Sequence, residues 1–515
     1  MRGFRTVLVE QHDLAWGTSS RSSRLIHGGL RYLEEGDLRL VFEASRERWT
    51  LLRIAPHLVR PMPFTFPVHR GDRVPLWKLA AGVWLYEILA LFRNVRRPSI
   101  LGKRGLLRSE PMLRERGLIG GARYFDAQCD DARLVVATIR SAMSHGALVA
   151  NYTAVESLEM PGGAVRGAHL VDRLTGEKGL LQAAVVINAT GPWSDRIRRL
   201  EDPSAAPLLR LTKGAHVMVP RARVGHHDAI TMTSPLDGRV MFILPWGEFS
   251  YIGTTDTDSG ESPDEVGTRA EDVVYLLRSA NACFPNAHLG PDDVLATWAG
   301  LRPLLAQPGT AGASHVSREH LISAGPGGML SIVGGKLTTY RSMAAEMMQR
   351  AAEVLHRTHG RPRVPQPPTD EEPLPGGETA DLEAFRQPGL DLGLSPDTVD
   401  HLLRHYGTEA AAVCNMARED RTLLQALDPS HPAIEAEVVH ITRRELPQRV
   451  EDLLTRRLHL YYETTDHGAA AAARVAELMG RELGWDGETV TREARRYRDG
   501  LSGVAQASAG FRVPG

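Results

Sequence analysis

Three aliphatic runs in this chain each stop at a turn that contains glycine, and no other feature narrows the possible folds as far. Thr6-Val7-Leu8-Val9 ends at the acid Glu10 and passes into a polar loop around Gly17. Ala183–Ala189 runs into Thr190-Gly191-Pro192-Trp193, and "LSIV" runs into Gly334-Gly335-Lys336-Leu337-Thr338. A nearly unbroken apolar run reads as a parallel strand buried on both faces. In open α/β sheets, ligands sit beyond the carboxyl ends of such strands, where glycine lets backbone amides approach an oxygen. A strand closing on an acid is how the second strand of a dinucleotide-binding unit usually ends, with the carboxylate on a ribose hydroxyl. The Gly-rich turn that should precede that acid by about 20 residues is not in the sequence, because the strand already begins at Thr6.

A chain of 515 residues should form two or three domains with ample core. The 61 basic and 62 acidic residues balance, so no overall field favours nucleic acid. Cys129, Cys283 and Cys414 are odd in number and far apart; they point to a reducing compartment and give no metal-binding spacing, so no metal is expected. The N-terminus enters a strand directly, with no signal-peptide pattern.

Leu38–Val59 has helical periodicity that breaks at Pro61 and Pro63. Leu76–Phe92 is apolar but carries Lys78 and Glu87, which is short and costly for a membrane span of roughly 20 residues. Arg93, Arg96, Arg97, Lys103, Arg104 and Arg108 follow it. Either the helix packs in the core behind a solvated basic edge, or it lies in an anionic membrane surface. Short strands fill the middle of the chain and the stretch from Leu209 to Ala299; a Pro/Gly/acid linker covers His359–Glu378, and the Ala/Leu/Glu/Arg-rich remainder reads as helical.

The densest chemistry lies in "GTSSRSSRLIHGGLRYLEEGD", where Gly17, Thr18, Ser19, Ser20, Ser22, Ser23, His27, Arg31 and Tyr32 crowd together. Serines suit a solvated loop, but the tight alternation in "LIHGGLRY" favours a ligand site over a structural turn. A helix start after Gly334-Gly335 would suit a ligand bearing partial negative charge.

"SSRLIHGGLRYLE", "INATGPWSD", "TKGAHVMVP", "AGLRPL" and "IVGGKLTTYR" together resemble, in order, the motifs of the FAD-dependent respiratory glycerol-3-phosphate dehydrogenases. The resemblance implies an α/β FAD-binding Rossmann-like fold of the D-amino-acid-oxidase type, with two interleaved subdomains and an all-α C-terminal domain. FAD would bind over about 1–60, 125–208 and 300–350, and substrate over about 61–124 and 209–299; 351–380 would be the linker and 381–515 the helical domain. It also implies a first strand and GxGxxG turn, roughly 25–30 residues, ahead of Met1.

Oxidising a secondary alcohol at a flavin requires a base for the hydroxyl proton and cations for the substrate phosphate. Arg31, Arg302 and Arg318 match arginines in the family's active-site region, and the arginine fork suits a phosphate. His216 is the first choice of base and His27 the second. Lys336 would lie close to flavin and substrate, with its charge at the flavin edge, and Tyr32 would belong to the same catalytic site. Glu10, the Gly17–Ser23 loop, Gly191 and Gly334–Thr338 would hold the FAD. Glycerol 3-phosphate would be the substrate and a membrane quinone the acceptor, placing the protein in the cytoplasm, peripheral on the inner face of the cell membrane and open to homodimer formation. The rivals are an amine or amino-acid oxidase of the same broad fold, and a flavin-free protein.

Overall fold

The computed structural model describes residues 2–34, 36–306 and 320–509, with the backbone alone for Arg31 and residues 502–509. The glycine-turn strands lie in two small sheets. Strand β1 (Val7–Val9) pairs in parallel with β6 (Leu148–Ala150), and β10 (Ile187–Asn188) pairs in parallel with β18 (Leu330–Gly334), whose other edge takes β17 (His320–Ala324) antiparallel. Among the described residues β1 has one partner strand only, and Val7 is 41% exposed. The run at 183–189 is shorter as a strand than its composition suggests, and Ile187 is 37% exposed because β10 too is paired on one side.

A ten-stranded sheet forms the second layer. Its main path runs β15 (Thr257–Asp258), β11 (Leu209–Pro220), β14 (Phe249–Gly253), β13 (Val240–Trp246), β12 (Ala229–Thr233), β3 (Val59–His69), β5 (Leu118–Cys129) and β2 (Leu25–Ile26). Strand β16 (Ala296–Leu305) adds to β11, and β4 (Ser99–Gly102) to β5. The strands β7 (Thr153–Glu159), β8 (Gly167–Asp172) and β9 (Lys178–Gln182) form a separate meander.

Helix α1 (Leu38–Ile54) starts where the Asp37 carboxylate accepts the Leu40 amide. It ends at Ile54, not at Val59, because Pro56 drives Ala55 out of the helical region; Val59 onward is strand in spite of Pro61 and Pro63. Helix α2 (Leu76–Leu89) buries Leu79, Val83, Tyr86 and Glu87 but leaves Trp77 74% exposed. Helix α3 (Lys103–Ser109) follows β4, and α4 (Asp131–Ser144) is capped by Asp130, whose carboxylate accepts the Arg133 amide. The strand-rich stretch also holds a helix, Ala270–Cys283, that covers one face of the large sheet.

The C-terminal helices bury a core of their own around Val413, Val438, Leu453 and Met479, and enclose one hairpin, β19 (Ala426–Asp428) with β20 (His431–Ile434). The expected linker is pinned at Leu374, whose amide bonds the Ile54 carbonyl at 2.7 Å.

Candidate active site

The large sheet brings two of the expected residues together. His216 on β11 lies opposite Gly253 of β14 and Trp298 of β16. Its ring stacks on Trp298, with centroids 4.9 Å apart and planes 12° from parallel, and its Nε2 is 2.8 Å from the Ser23 hydroxyl. A Cβ at residue 253 would sit 2.1 Å from the imidazole Cδ2, so glycine is what leaves room for the ring. His216 is 2% exposed. Burial, then the charges of Arg302 and Arg24, push its pKa well below the ordinary histidine value, and the ring is neutral at physiological pH. Its Nδ1 is buried and makes no hydrogen bond among the described residues.

Arg302 on β16 reaches the turn that follows Gly253. It donates to Thr254 Oγ1 at 2.7 Å, to the Thr255 carbonyl at 3.2 Å and to Asp256 Oδ1 at 3.0 Å. Gly214 is close beneath it: a Cβ there would meet the guanidinium at 2.3 Å. Thr254 and Asp256 carried no signal in the sequence, since only sheet register brings them to the arginine. Arg302 and His216 therefore flank one short segment, and the cation is close enough to lower the histidine's proton affinity.

The other expected residues gather at the β2 and β18 turns. The His27 amide donates to Thr338 Oγ1 at 3.2 Å, which ties "LIHGG" to the "GGKLTT" turn. Lys336 places its ammonium 3.5 Å from the centre of the Tyr32 ring, a cation–π contact. The Gly28 amide donates to Tyr86 Oη at 2.7 Å, and that hydroxyl donates to Asp126 at 2.6 Å. Arg48 closes the network on Tyr86 and Asp126. A Cβ on Gly28 would lie 2.4 Å from Tyr86 Oη, so the turn seats directly on α2. Arg31 lies in the 3₁₀ turn Leu30–Leu33. Arg318 lies outside the described residues.

The Gly17–Ser23 loop is fixed mostly by its own side chains. Thr18 Oγ1 donates to the Leu301 carbonyl at 2.7 Å, Ser22 Oγ to Asp131 at 2.6 Å, and Ser23 meets His216. Ser19 is exposed and Ser20 buried. Glu10 closes β1 with burial raising its pKa and its Oε1 accepting the His12 amide at 3.0 Å. Gly191, at the end of β10, has φ of 56° with open space beside it, and Gly334 and Gly335 have φ of 80° and 85°. An acid after one parallel strand and left-handed glycine turns after two others suit an adenine dinucleotide with an attached flavin.

The C-terminal domain grips this loop from outside. Arg456 and Arg457 clamp the fully buried Asp13 carboxylate, with contacts of 2.6, 2.9 and 3.0 Å. Arg24 is caged by Trp246, Trp298 and Tyr462 at 4.3, 5.2 and 5.1 Å from the ring centres. Trp246 in turn donates to Glu463 at 2.6 Å. None of these partners stood out in the sequence.

Residues 1–341 match the model of the FAD dependent oxidoreductase family, and residues 367–490 match the C-terminal domain of alpha-glycerophosphate oxidase. The chain is 37% identical to glycerol-3-phosphate dehydrogenase 2 of Mycobacterium tuberculosis strain H37Rv, over 96% of this chain and 84% of that one. It is 35% identical to the mitochondrial glycerol-3-phosphate dehydrogenase of Homo sapiens, over 94% and 68% of the two chains. The structure of the Bacillus halodurans glycerol-3-phosphate dehydrogenase complexed with FAD superposes with a TM-score of 0.79 at 30% identity, covering 97% of this chain and 90% of that one. The two-part match runs through both domains, and the motifs at His216, Arg302 and Lys336 fall inside it: the chain belongs to the FAD-dependent glycerol-3-phosphate dehydrogenase family.

Proposed function

We propose that this chain oxidises sn-glycerol 3-phosphate to dihydroxyacetone phosphate with FAD as the immediate oxidant, and that a membrane quinone takes the electrons onward. The observation that carries the reading is a neutral, buried histidine held beside an arginine. FAD, when bound, supplies the acceptor for the hydride that leaves the carbinol carbon. If the Ser23 hydroxyl accepts from His216 Nε2–H, the lone pair is on Nδ1, and that atom takes the substrate hydroxyl proton. Arg302, with Arg31 and Arg318, holds the phosphate. Lys336 stabilises negative charge that develops at the flavin edge, with Tyr32 fixing its ammonium. Glu10, the Gly17–Ser23 loop, Gly191 and Gly334–Thr338 would hold the FAD. His27, through its backbone tie to Thr338, holds the two turns together.

The surface of α2 and of the segment after it supports a membrane acceptor. Trp77, Trp84, Ile88, Leu91, Phe92 and Val95 are exposed, and Arg93, Arg96, Arg97, Lys103 and Arg104, next to them or following them in the sequence, are exposed too. Apolar side chains flanked by basic ones suit the interface of an anionic bilayer, where quinone is available. Among the described residues no helix is long and apolar enough to cross a membrane.

The test is anaerobic mixing of FAD-loaded protein with glycerol 3-phosphate, glycerol and a set of amino acids. Bleaching of the flavin by the phosphate ester at a far lower concentration than by glycerol is expected. Bleaching by an amino acid instead would replace this reading with the amino-acid oxidase one.

A further inference from the structure

Two histidines and an aspartate from three distant segments meet where the C-terminal domain docks. Asp130 follows β5 and uses Oδ1 to cap α4, accepting the Arg133 amide at 3.0 Å. His405 lies on the helix Pro396–Tyr406, and His459 immediately precedes the helix Leu460–Glu463. One carboxylate oxygen and one nitrogen of each ring lie within 4.8 Å of one another. Each Nδ1 faces the carbonyl four residues back: His405 Nδ1 is 3.0 Å from the His401 oxygen, and His459 Nδ1 is 3.2 Å from the Thr455 oxygen. A nitrogen facing a carbonyl oxygen must carry the hydrogen, so a neutral ring at either position has its lone pair on Nε2.

His405 Nε2 is buried and has no hydrogen-bond partner among the described residues. His459 Nε2 is 2.6 Å from Asp130 Oδ2. An imidazole whose Nδ1–H is fixed on a backbone carbonyl and whose Nε2 points at a shared spot is how proteins usually present histidine to a metal. Of the nearby cations, Arg133 pairs with Glu445 at 2.5 Å and Arg24 faces Asp131 at 3.9 Å, while Arg24 and Arg60 also act on the Asp130 carboxylate.

We propose that Asp130 Oδ2, His405 Nε2 and His459 Nε2 bind one zinc-class divalent ion that joins the C-terminal domain to the FAD-binding part of the chain. Two imidazoles favour zinc over magnesium or calcium, which take oxygen ligands. Three protein ligands leave a tetrahedral ion one position for water. Ligand atoms about 2.0–2.2 Å from zinc stand roughly 3.3 Å apart, so binding releases to solvent the proton held between His459 Nε2 and Asp130 Oδ2, replaces their direct contact with two metal bonds, and draws His405 inward. The ion also acts on the flavin loop through one neighbour, since Asp131 holds Ser22 by both its hydroxyl and its amide.

The test uses the full chain loaded with FAD, dialysed against zinc and then against metal-free buffer. About one zinc per chain is expected in the unmodified protein and in H145Q, which alters an exposed histidine, and much less in H405Q. A zinc chelator should lower Tm by several degrees and added zinc should restore it, with neither change seen in H405Q. Cobalt loading of the unmodified protein gives a readout that needs no variant: a ligand-field band to the red of the flavin is expected. Zinc that washes out of the unmodified protein, a Tm indifferent to chelator and zinc, or the absence of a cobalt band would overturn the proposal, as would equal zinc content in H405Q.

Discussion

Replacing Arg302 with alanine should separate the phosphate ester from the plain alcohol. The guanidinium is mostly buried and already oriented by Thr254 Oγ1, the Thr255 carbonyl and Asp256, so in the proposed role it would meet a substrate phosphate with little left to order. A charge-assisted hydrogen bond contributes about 1.5–3 kcal/mol, which is roughly 10- to 150-fold in kcat/KM. The truncation also leaves Asp256 without this guanidinium next to the substrate phosphate, and that repulsion should take the loss to the upper end of the range or past it. R302A/D256N should therefore recover part of what R302A loses. The slow rate on glycerol, which has no phosphate to hold, should stay nearly constant. Stopped-flow flavin reduction with both substrates reads all of this, with flavin content checked so that folding and loading are controlled. If R302A lowers both rates by one common factor, or if D256N rescues nothing, Arg302 is not a phosphate ligand.

Lys336→Met should slow flavin reduction by glycerol 3-phosphate and by glycerol alike if, as proposed, its charge acts at the flavin edge; a loss confined to the phosphate ester would move Lys336 to the phosphate side. Changing Arg96, Arg97 and Arg104 to Glu should release the protein from anionic vesicles in sedimentation and leave dye-linked turnover almost unchanged; binding indifferent to both the substitutions and salt would remove α2 from the membrane reading. Stability should fall as pH drops below about 6.5, the unfolded histidine value, because burial, with nearby cations adding at His57, holds His57 at about 3 and His226 and His440 at about 4. Each stays neutral when folded and takes a proton when unfolded, so between pH 6.5 and 5 the three together remove on the order of 5 kcal/mol. Urea midpoints across that range measure it, and a midpoint that rises on acidification would refute the argument.

The parts of this site that were legible in the sequence are those that backbone geometry demands locally. A strand that must turn sharply toward a ligand shows its glycine, which is why Gly191 and Gly334-Gly335 could be picked out, with left-handed φ at each. Pro56 is equally legible and, rather than Pro61, ends α1 at Ile54, five residues before the Val59 that the periodicity predicts. His216, Arg302 and Lys336 stand out only through motifs that resemble a family's, since residue type alone does not separate them from a buried histidine or an ion-paired arginine. What could not be read is the support beneath them. Asp256 reaches Arg302 across 46 positions and Tyr86 reaches Gly28 across 58, each through a pairing that exists only after the sheet has closed. The clamp on Asp13 spans 443 positions. The same distance explains why α2 reads two ways: one face carries Tyr86 into the network that seats the "LIHGG" turn, and the other leaves Trp77 and Ile88 exposed. A core helix and a surface helix are therefore not alternatives for this segment. If its outer face does rest on a bilayer, the membrane lies one helix away from the turn that carries His27, and a change in how α2 sits would reach that turn through contacts that include the hydrogen bond from Gly28 to Tyr86.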